Sequence, residues 1–326
     1  MDTVRGQEKL ALAGLVARRF YLEDRSKIEI AEELGLSRFQ VARLLEAARS
    51  SGQVRIEIRD PGGIDVELSR RVQTEFSLAH SIVIDAPEDD DVQLRRYLGE
   101  VCAALLTEIV TPGDVLGLGW ARAVLAMRNA LARLAPCTVV QLTGALTRPD
   151  VDESSVELVR AVARVAQGSA YCFYAPMFVG DAATAAALLR QPEIARATKL
   201  FGGVTKAVVG VGGWDPPHST VYDALSGPER QQLLDLGTRA DLSGVLLDAN
   251  GDAVGGSFTD RVIGIRAVQL RRIPDVIAIA YGAAKAPAAS AAIRGGYVNS
   301  LVTHVSFAKA LLQNTGQEIG GGHDQG

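Results

Sequence analysis

Residues 26–52 read SKIEIAEELGLSRFQVARLLEAARSSG, and few local folds accommodate them. Ser26 with Glu29, and Ser37 with Gln40, each match a capping box. In that motif the serine accepts from an orphaned backbone N–H and the later side chain reaches back. Two helices therefore start within one short stretch and meet at Gly35-Leu36-Ser37. Gly35 falls where the turn needs a left-handed backbone, which costs glycine little. Ala31 is small where the helices cross closely. Val41 and Leu44 share the inner face of the second helix, and Gly52 stands as the residue that stops it. The pattern predicts a helix-turn-helix. A preceding helix over about residues 7–22 is expected to bring Leu10, Leu12, Leu15, Val16 and Phe20 to a small core. Ile28, Leu34, Leu36, Val41, Leu44 and Leu45 would complete it.

The outer face of the second helix then carries Arg38, Gln40 and Arg43, with Ser37 at its start. In such a motif the first turn of the second helix meets base edges of double-stranded DNA. Arginine pairs with guanine and glutamine with adenine, while backbone N–H groups at the helix start can hold a phosphate. The competing reading is a helical hairpin with a solvated polar face. Gln40 can equally serve its own cap, and Arg49 suits a phosphate or solvent better than a base. Residues 54–59 alternate strictly, as a half-buried strand does, which suggests a winged variant with Arg55 and Arg59 on the polar side.

A chain of 326 residues needs at least one more domain. Its composition, 48% hydrophobic and 22% charged, suits a folded protein with a large core. Aromatics are scarce at 5% and glycines number 33, which points to tight turns around an Ala/Val/Leu interior. The net charge of −4 does not advertise nucleic-acid binding. Residues 1–60, with 11 Lys and Arg against 10 Asp and Glu, stand near neutrality while the remainder is acidic. DNA attraction must rest on a local basic surface. No apolar run is long enough for a bilayer, and no signal peptide opens the chain. Cys102, Cys137 and Cys172 are widely spaced without a CxxC, which argues for the cytoplasm and against a metal site.

Asp60-Pro61-Gly62-Gly63 marks the domain boundary. The expected division is a DNA-binding domain at 1–60, an effector and oligomerisation domain at 64–315, and a disordered tail at 316–326. After a helix at about 66–76, short apolar runs alternate with helical stretches. Strands are expected near 80–84, 115–118, 138–142, 170–173, 207–211, 244–247, 276–280 and 300–302. That alternation predicts an α/β, Rossmann-like domain around a mainly parallel sheet, with ligands bound at the carboxyl ends of the strands. Gly117-Leu118-Gly119-Trp120 closes one strand before a helix, where glycine N–H groups and the helix dipole favour an anion. Tight packing explains such glycines too. Thr143-Gly144, Gly210 and Gly212 end two more strands in the same style. Lys285 falls in the first turn of a helix, where a cation opposes the dipole unless it meets an anion.

The order of these elements resembles the SorC family of bacterial sugar-responsive transcriptional regulators over about residues 8–312. The most specific part is Asp260-Arg261-Val262-Ile263-Gly264-Ile265, then Leu270-Arg271-Arg272-Ile273-Pro274, Ala280-x-Gly282-x-x-Lys285, Arg294-Gly295-Gly296-Tyr297-Val298-Asn299 and Leu301-Val302-Thr303. The resemblance implies a domain related to glucosamine-6-phosphate deaminase and ribose-5-phosphate isomerase that senses a sugar rather than converting it. It also implies a homodimer or homotetramer on paired operator half-sites. The chain departs from the family in its first loop, where Gly-x-Ser-x-Gly-x-Thr becomes Gly117-Leu118-Gly119-Trp120-Ala121-Arg122-Ala123 without either hydroxyl. Tyr281 replaces a common glycine, and His304 a common aspartate.

The expected function is therefore a cytoplasmic regulator of carbohydrate or polyol catabolism genes, with no catalytic residues, no metal and no cofactor. Its effector would be a sugar, sugar phosphate or polyol bound by Gly117, Gly119, Trp120, Arg122, Thr143, Gly144, Gly210, Gly212, Asp248, Lys285 and Asn299. The alternative is a sugar-phosphate isomerase or deaminase with an added DNA-binding arm. Its acid–base groups would have to be Asp248, His304 and Lys285.

Overall fold

The computed structural model describes residues 2–54, 63–146, 154–214 and 219–320, with backbone only at 2–9 and 315–320. The chain divides into two compact units, Met1–Asp60 and Pro61–Gly326.

The first unit contains α1 (Asp2–Tyr21), α2 (Lys27–Leu34) and α3 (Arg38–Ser50). Both capping boxes are formed, on Ser26/Glu29 and Ser37/Gln40. Gly35 adopts the left-handed conformation at φ 64° and ends α2. The core differs from its sequence reading. Ile28 is exposed while Ile30, two residues on, is fully buried. Likewise Leu10 and Leu15 face outward, and Ala13, Val16 and Ala17 line the inner face of α1 with Val41, Leu44, Leu45 and Ala48 of α3. Small residues win there because they let two helix backbones approach closely. The strand expected at 54–59, and with it the winged variant, lies outside the described residues apart from Val54.

The second unit opens with α4 (Val66–Glu75), β1 (His80–Ile84), α5 (Asp91–Ile109), β2 (Val115–Leu118), α6 (Arg122–Ala130) and β3 (Thr138–Gln141). It continues through α7 (Ser155–Val165), β4 (Ala170–Tyr171), α8 (Ala182–Leu189), α9 (Pro192–Lys199), β5 (Lys206–Gly210) and β6 (Gly212–Gly213). Next come α10 (Thr220–Ala224), α11 (Gly227–Asp235), β7 (Ala240–Leu242), β8 (Val245–Leu247) and β9 (Ala253–Val254). The last elements are α12 (Ala267–Leu270), β10 (Asp275–Ile279), α13 (Ala286–Arg294), β11 (Ser300–His304) and α14 (Val305–Gly320). A tail was expected from residue 316. Instead α14 carries on to Gly320, through a Gln-Glu-Ile stretch that a helix accepts, and 321–326 lie outside the described residues.

Seven strands form one sheet in the order β1-β11-β10-β5-β2-β3-β4, and every pairing is parallel. Alternate strand residues feed opposite faces, as a period of two requires. Val139, Val208, Ile277 and Val302 pack under α5, α6 and α7. Val140, Ala207, Val209, Ala278 and Leu301 pack under α4, α13 and α14. Burial on both faces explains why these strands are short apolar runs.

One expectation fails here. Residues 244–247 do not join the parallel sheet. β8 belongs to a separate antiparallel sheet, β6-β7-β8-β9, turned by Ser243 and Gly244. Both turn residues have positive φ, 55° and 85°, as a tight two-residue hairpin demands.

Candidate functional site

On α3, Arg38, Gln40 and Arg43 are all exposed, and Ser37 is the N-cap. Gln40 is committed to the cap. Its Oε1 accepts the Ser37 N–H at 2.7 Å, and the Ser37 hydroxyl accepts the Gln40 N–H at 3.2 Å. Arg38 and Arg43 are thus the better candidates for base contacts. Phe39, between Arg38 and Gln40, is 83% exposed and was passed over in the sequence.

In the second unit the sheet reverses its winding between β2 and β5. β2 connects outward to β3, while β5 leads the other way to β10. The loops leaving those strands part at such a switch point and open a crevice beyond the carboxyl ends. A cavity of about 160 Å³ lies there. Its lining comes from Trp120–Ala123 after β2, Gly210–Gly212 after β5, and Ile279, Tyr281 and Lys285 at and after β10. Thr220, Val221 and Asp223 of α10, Met177, and Asp241 and Ser243 of the small sheet complete it.

Of the expected effector residues, the structure thus gathers Trp120, Arg122, Gly210, Gly212 and Lys285 around one cavity. Gly119 lies just behind it: a Cβ there would come within 2.2 Å of the Ser243 hydroxyl, so this glycine admits the hairpin. Gly117 is a packing glycine, facing the Leu142 side chain. At Thr143 and Gly144 the backbone is held by an isolated bridge from Thr143 to Gly264 and by the Gly144 N–H donating to the Ile263 carbonyl. Asp248 sits at the far end of β8 from the Ser243 turn, and its Oδ1 accepts the N–H groups of Asn250 and Asp252. It was misplaced because β8 runs in the antiparallel sheet. Asn299 precedes β11 at the amino edge, where its side chain accepts the Val276 N–H and donates to the Pro274 carbonyl. That edge is held by structural bonds such as Asp114 with Thr205 and Lys206.

The cavity has two electrostatic ends. At one, burial lowers the Lys285 pKa to about 8, Asp91 opposes this, and the nearby Arg122 and Arg95 reinforce it. The Lys285 ammonium lies 4.6 Å from the centre of the Tyr281 ring, and Arg95 reaches the Tyr281 hydroxyl at 3.4 Å. The N-terminus of α6 opens at the same place. Its N-cap, Ala121, has no side-chain acceptor, so the first-turn N–H groups of α6 are left without a side-chain cap. Behind this end, buried His304 accepts the Gly282 N–H at 3.1 Å on Nε2, with Glu88 2.9 Å from Nδ1. Burial lowers its pKa against the pull of Glu88. His304 therefore holds the loop that carries Tyr281 and Lys285. Asp248 is not with it, so the expected acid–base group does not assemble.

At the other end sits Asp241, a residue the sequence reading missed. It is buried, and its carboxylate accepts the Gly244 N–H at 2.9 Å and the Ser219 hydroxyl at 3.4 Å. Burial pushes its pKa up to about 6 against those two bonds. The only signal available was a lone aspartate in an otherwise apolar strand beside Ser243-Gly244. Because the folded pKa lies above the ordinary 3.8, the native state favours the protonated acid. The associated stability is full below about pH 4 and is lost as pH rises through 6. Its size is roughly 3 kcal/mol. Asp241→Asn should therefore be free of this loss. Thermal unfolding from pH 4 to 8 should show the two proteins diverging as pH rises. Parallel curves would contradict the assignment.

Residues 63–313 match the model of the sugar-binding domain family. The chain belongs to that family. Relatives that this SorC-type chain matches over nearly their whole length are named as transcriptional regulators. It is 26% identical to the deoxyribonucleoside regulator of Bacillus subtilis (strain 168), over 94% of this chain and 99% of that protein. It is 29% identical to the transcriptional regulator LsrR of Escherichia coli (strain K12), over 92% and 93%. The solved structure of the full-length sorbitol operon regulator SorC from Klebsiella pneumoniae shares its fold, with a TM-score of 0.82 at 22% identity, covering 93% of this chain and 98% of that one. Among the described residues of this SorC-type chain, no helix is long and apolar enough to cross a membrane, and no His, Cys, Asp and Glu group could hold a metal ion.

Proposed function

We propose that the chain is a DNA-binding regulator of carbohydrate or polyol genes whose effector is a phosphorylated sugar or polyol. The observation that carries this reading is the meeting of the uncapped α6 N-terminus with Lys285 and Arg122 in one cavity. Helix-start N–H groups without a side-chain cap, together with cations, suit a phosphate, even though the first loop lacks hydroxyls. Asp241, Ser243 and Thr220 at the opposite end would take sugar hydroxyls, which fixes the orientation of the ligand. Ser37, Arg38, Gln40 and Arg43 on α3 would face the operator, with Arg38 and Arg43 reading bases and Gln40 serving the cap. A single helix-turn-helix reads few base pairs, so the active species would be a homodimer or homotetramer. Neither an enzymatic activity nor a cofactor is needed to explain the cavity.

The test is a gel-shift on the DNA flanking the chain's own gene, with sugars, polyols and their phosphates added in turn. A phosphorylated member should change operator binding at concentrations where its neutral parent does not. Sedimentation under the same conditions should give a dimer or tetramer. A response to neutral compounds alone would remove the phosphate from this reading. No shift at all on that DNA would overturn it.

A further inference from the structure

The outer face of α3 carries an aromatic ring that the fold does not use. Phe39 is 83% exposed, although Val41, Leu44, Leu45 and Ala48 of the same helix are buried. It precedes Val41 by two residues, which on a helix turns it nearly opposite the buried face. Its neighbour at i+4 is Arg43, so the ring and that guanidinium stand on one side of the helix. Arg38 precedes it directly, and both arginines are exposed. Solvent exposure of a phenylalanine gains the monomer nothing, and solvated cations on either side give the patch the charge of a DNA-facing surface.

We propose that Phe39 is a specificity residue that contacts the 5-methyl group of a thymine in each operator half-site. This rests on the reading of α3 as the DNA-facing helix. In the major groove each base pair shows a distinct pattern, and thymine alone among the four bases presents a methyl group there. An apolar ring meets that group and gains little from the polar edges of the other bases. The capping bond supplies the second observation. With its Oε1 held by the Ser37 N–H, Gln40 has only its amide N–H groups to offer, and a bidentate contact to adenine would cost the cap. Readout in the first turn therefore falls to Arg38, Phe39 and Arg43. The two arginines select guanine, and Phe39 adds the thymine that they cannot recognise.

The probe is a duplex enriched from a random-sequence library on the full-length protein. Each thymine is replaced in turn by deoxyuridine, which deletes only the methyl group. One thymine per half-site should respond, and its loss should weaken binding about fourfold, as for one buried methyl-sized group. Phe39→Ala should bind the thymine and deoxyuridine duplexes equally, and Phe39→Leu should restore a preference for thymine. Thermal unfolding should be unchanged, since the ring is exposed. The proposal is overturned if Phe39→Ala keeps the full thymine preference, or if no thymine responds. Failure to enrich any sequence would overturn the DNA-binding reading and this proposal with it. A responsive thymine that ignores residue 39 would overturn this proposal alone.

Discussion

Replacing Arg38 and Arg43 together with alanine is expected to weaken operator binding at least about thirtyfold at fixed salt. Each bidentate base contact is worth about 1–3 kcal/mol, and the two are lost together. Both side chains are exposed on α3, outside the core of Val16, Ile30, Val41 and Leu45, so the melting temperature should not move. The same variant should lose less affinity for unrelated DNA, because phosphate attraction is shared among many cations while base contacts are not. An equal loss on both DNAs would mean that the arginines touch only phosphates. Unchanged operator affinity would mean that α3 is not the reading helix.

Lys285→Ala should abolish the response to a phosphorylated effector. A charged hydrogen bond to a phosphate contributes about 1.5–3 kcal/mol, so affinity should fall at least tenfold. The pH profile gives a sharper signature. In the free protein, burial and the arginines Arg122 and Arg95 hold the Lys285 pKa down at about 8. Above that pH the neutral amine must take up a proton before it can meet the anion. Affinity for the phosphate should therefore fall about fivefold from pH 8 to 9, while Lys285→Ala stays flat over that range. A neutral sugar should show no such slope in either protein. Isothermal titration at pH 7, 8 and 9 separates these outcomes, and a flat wild-type profile would place the anion elsewhere.

The sequence disclosed what is local. Both capping boxes and Gly35 could be read directly, because each is settled within a few residues. The parallel sheet could be read from apolar runs between helical stretches. What stayed hidden depends on partners distant in the chain. Nothing local decides between Ile28 and Ile30, since only the position of α1 says which isoleucine is covered. Leu10 and Leu15 look like a core by size, yet the close crossing favours Ala13 and Ala17. Asp248 lies away from the cavity and Asp241 lines it for a similar reason. Gly244 belongs to a hairpin turn, and reading it as the start of a parallel strand put Asp248 where the cavity was expected. Asn299 was assigned to a carboxyl edge although it enters its strand from the amino side. The cavity placement of Trp120, Arg122 and Lys285 was legible because they lie on the segments that leave the carboxyl ends of β2 and β10.

The cavity is assembled from two independent sheets, with Ser243 of the hairpin seated against Gly119 of the parallel sheet. In the proposed reading the phosphate-facing groups belong to loops of the parallel sheet, whereas Asp241 and Ser243 belong to the other. These two sets of residues can change at separate rates over descent. If the effector is phosphorylated as proposed, a change confined to the hairpin would alter which sugar is accepted and leave the groups that face the phosphate intact.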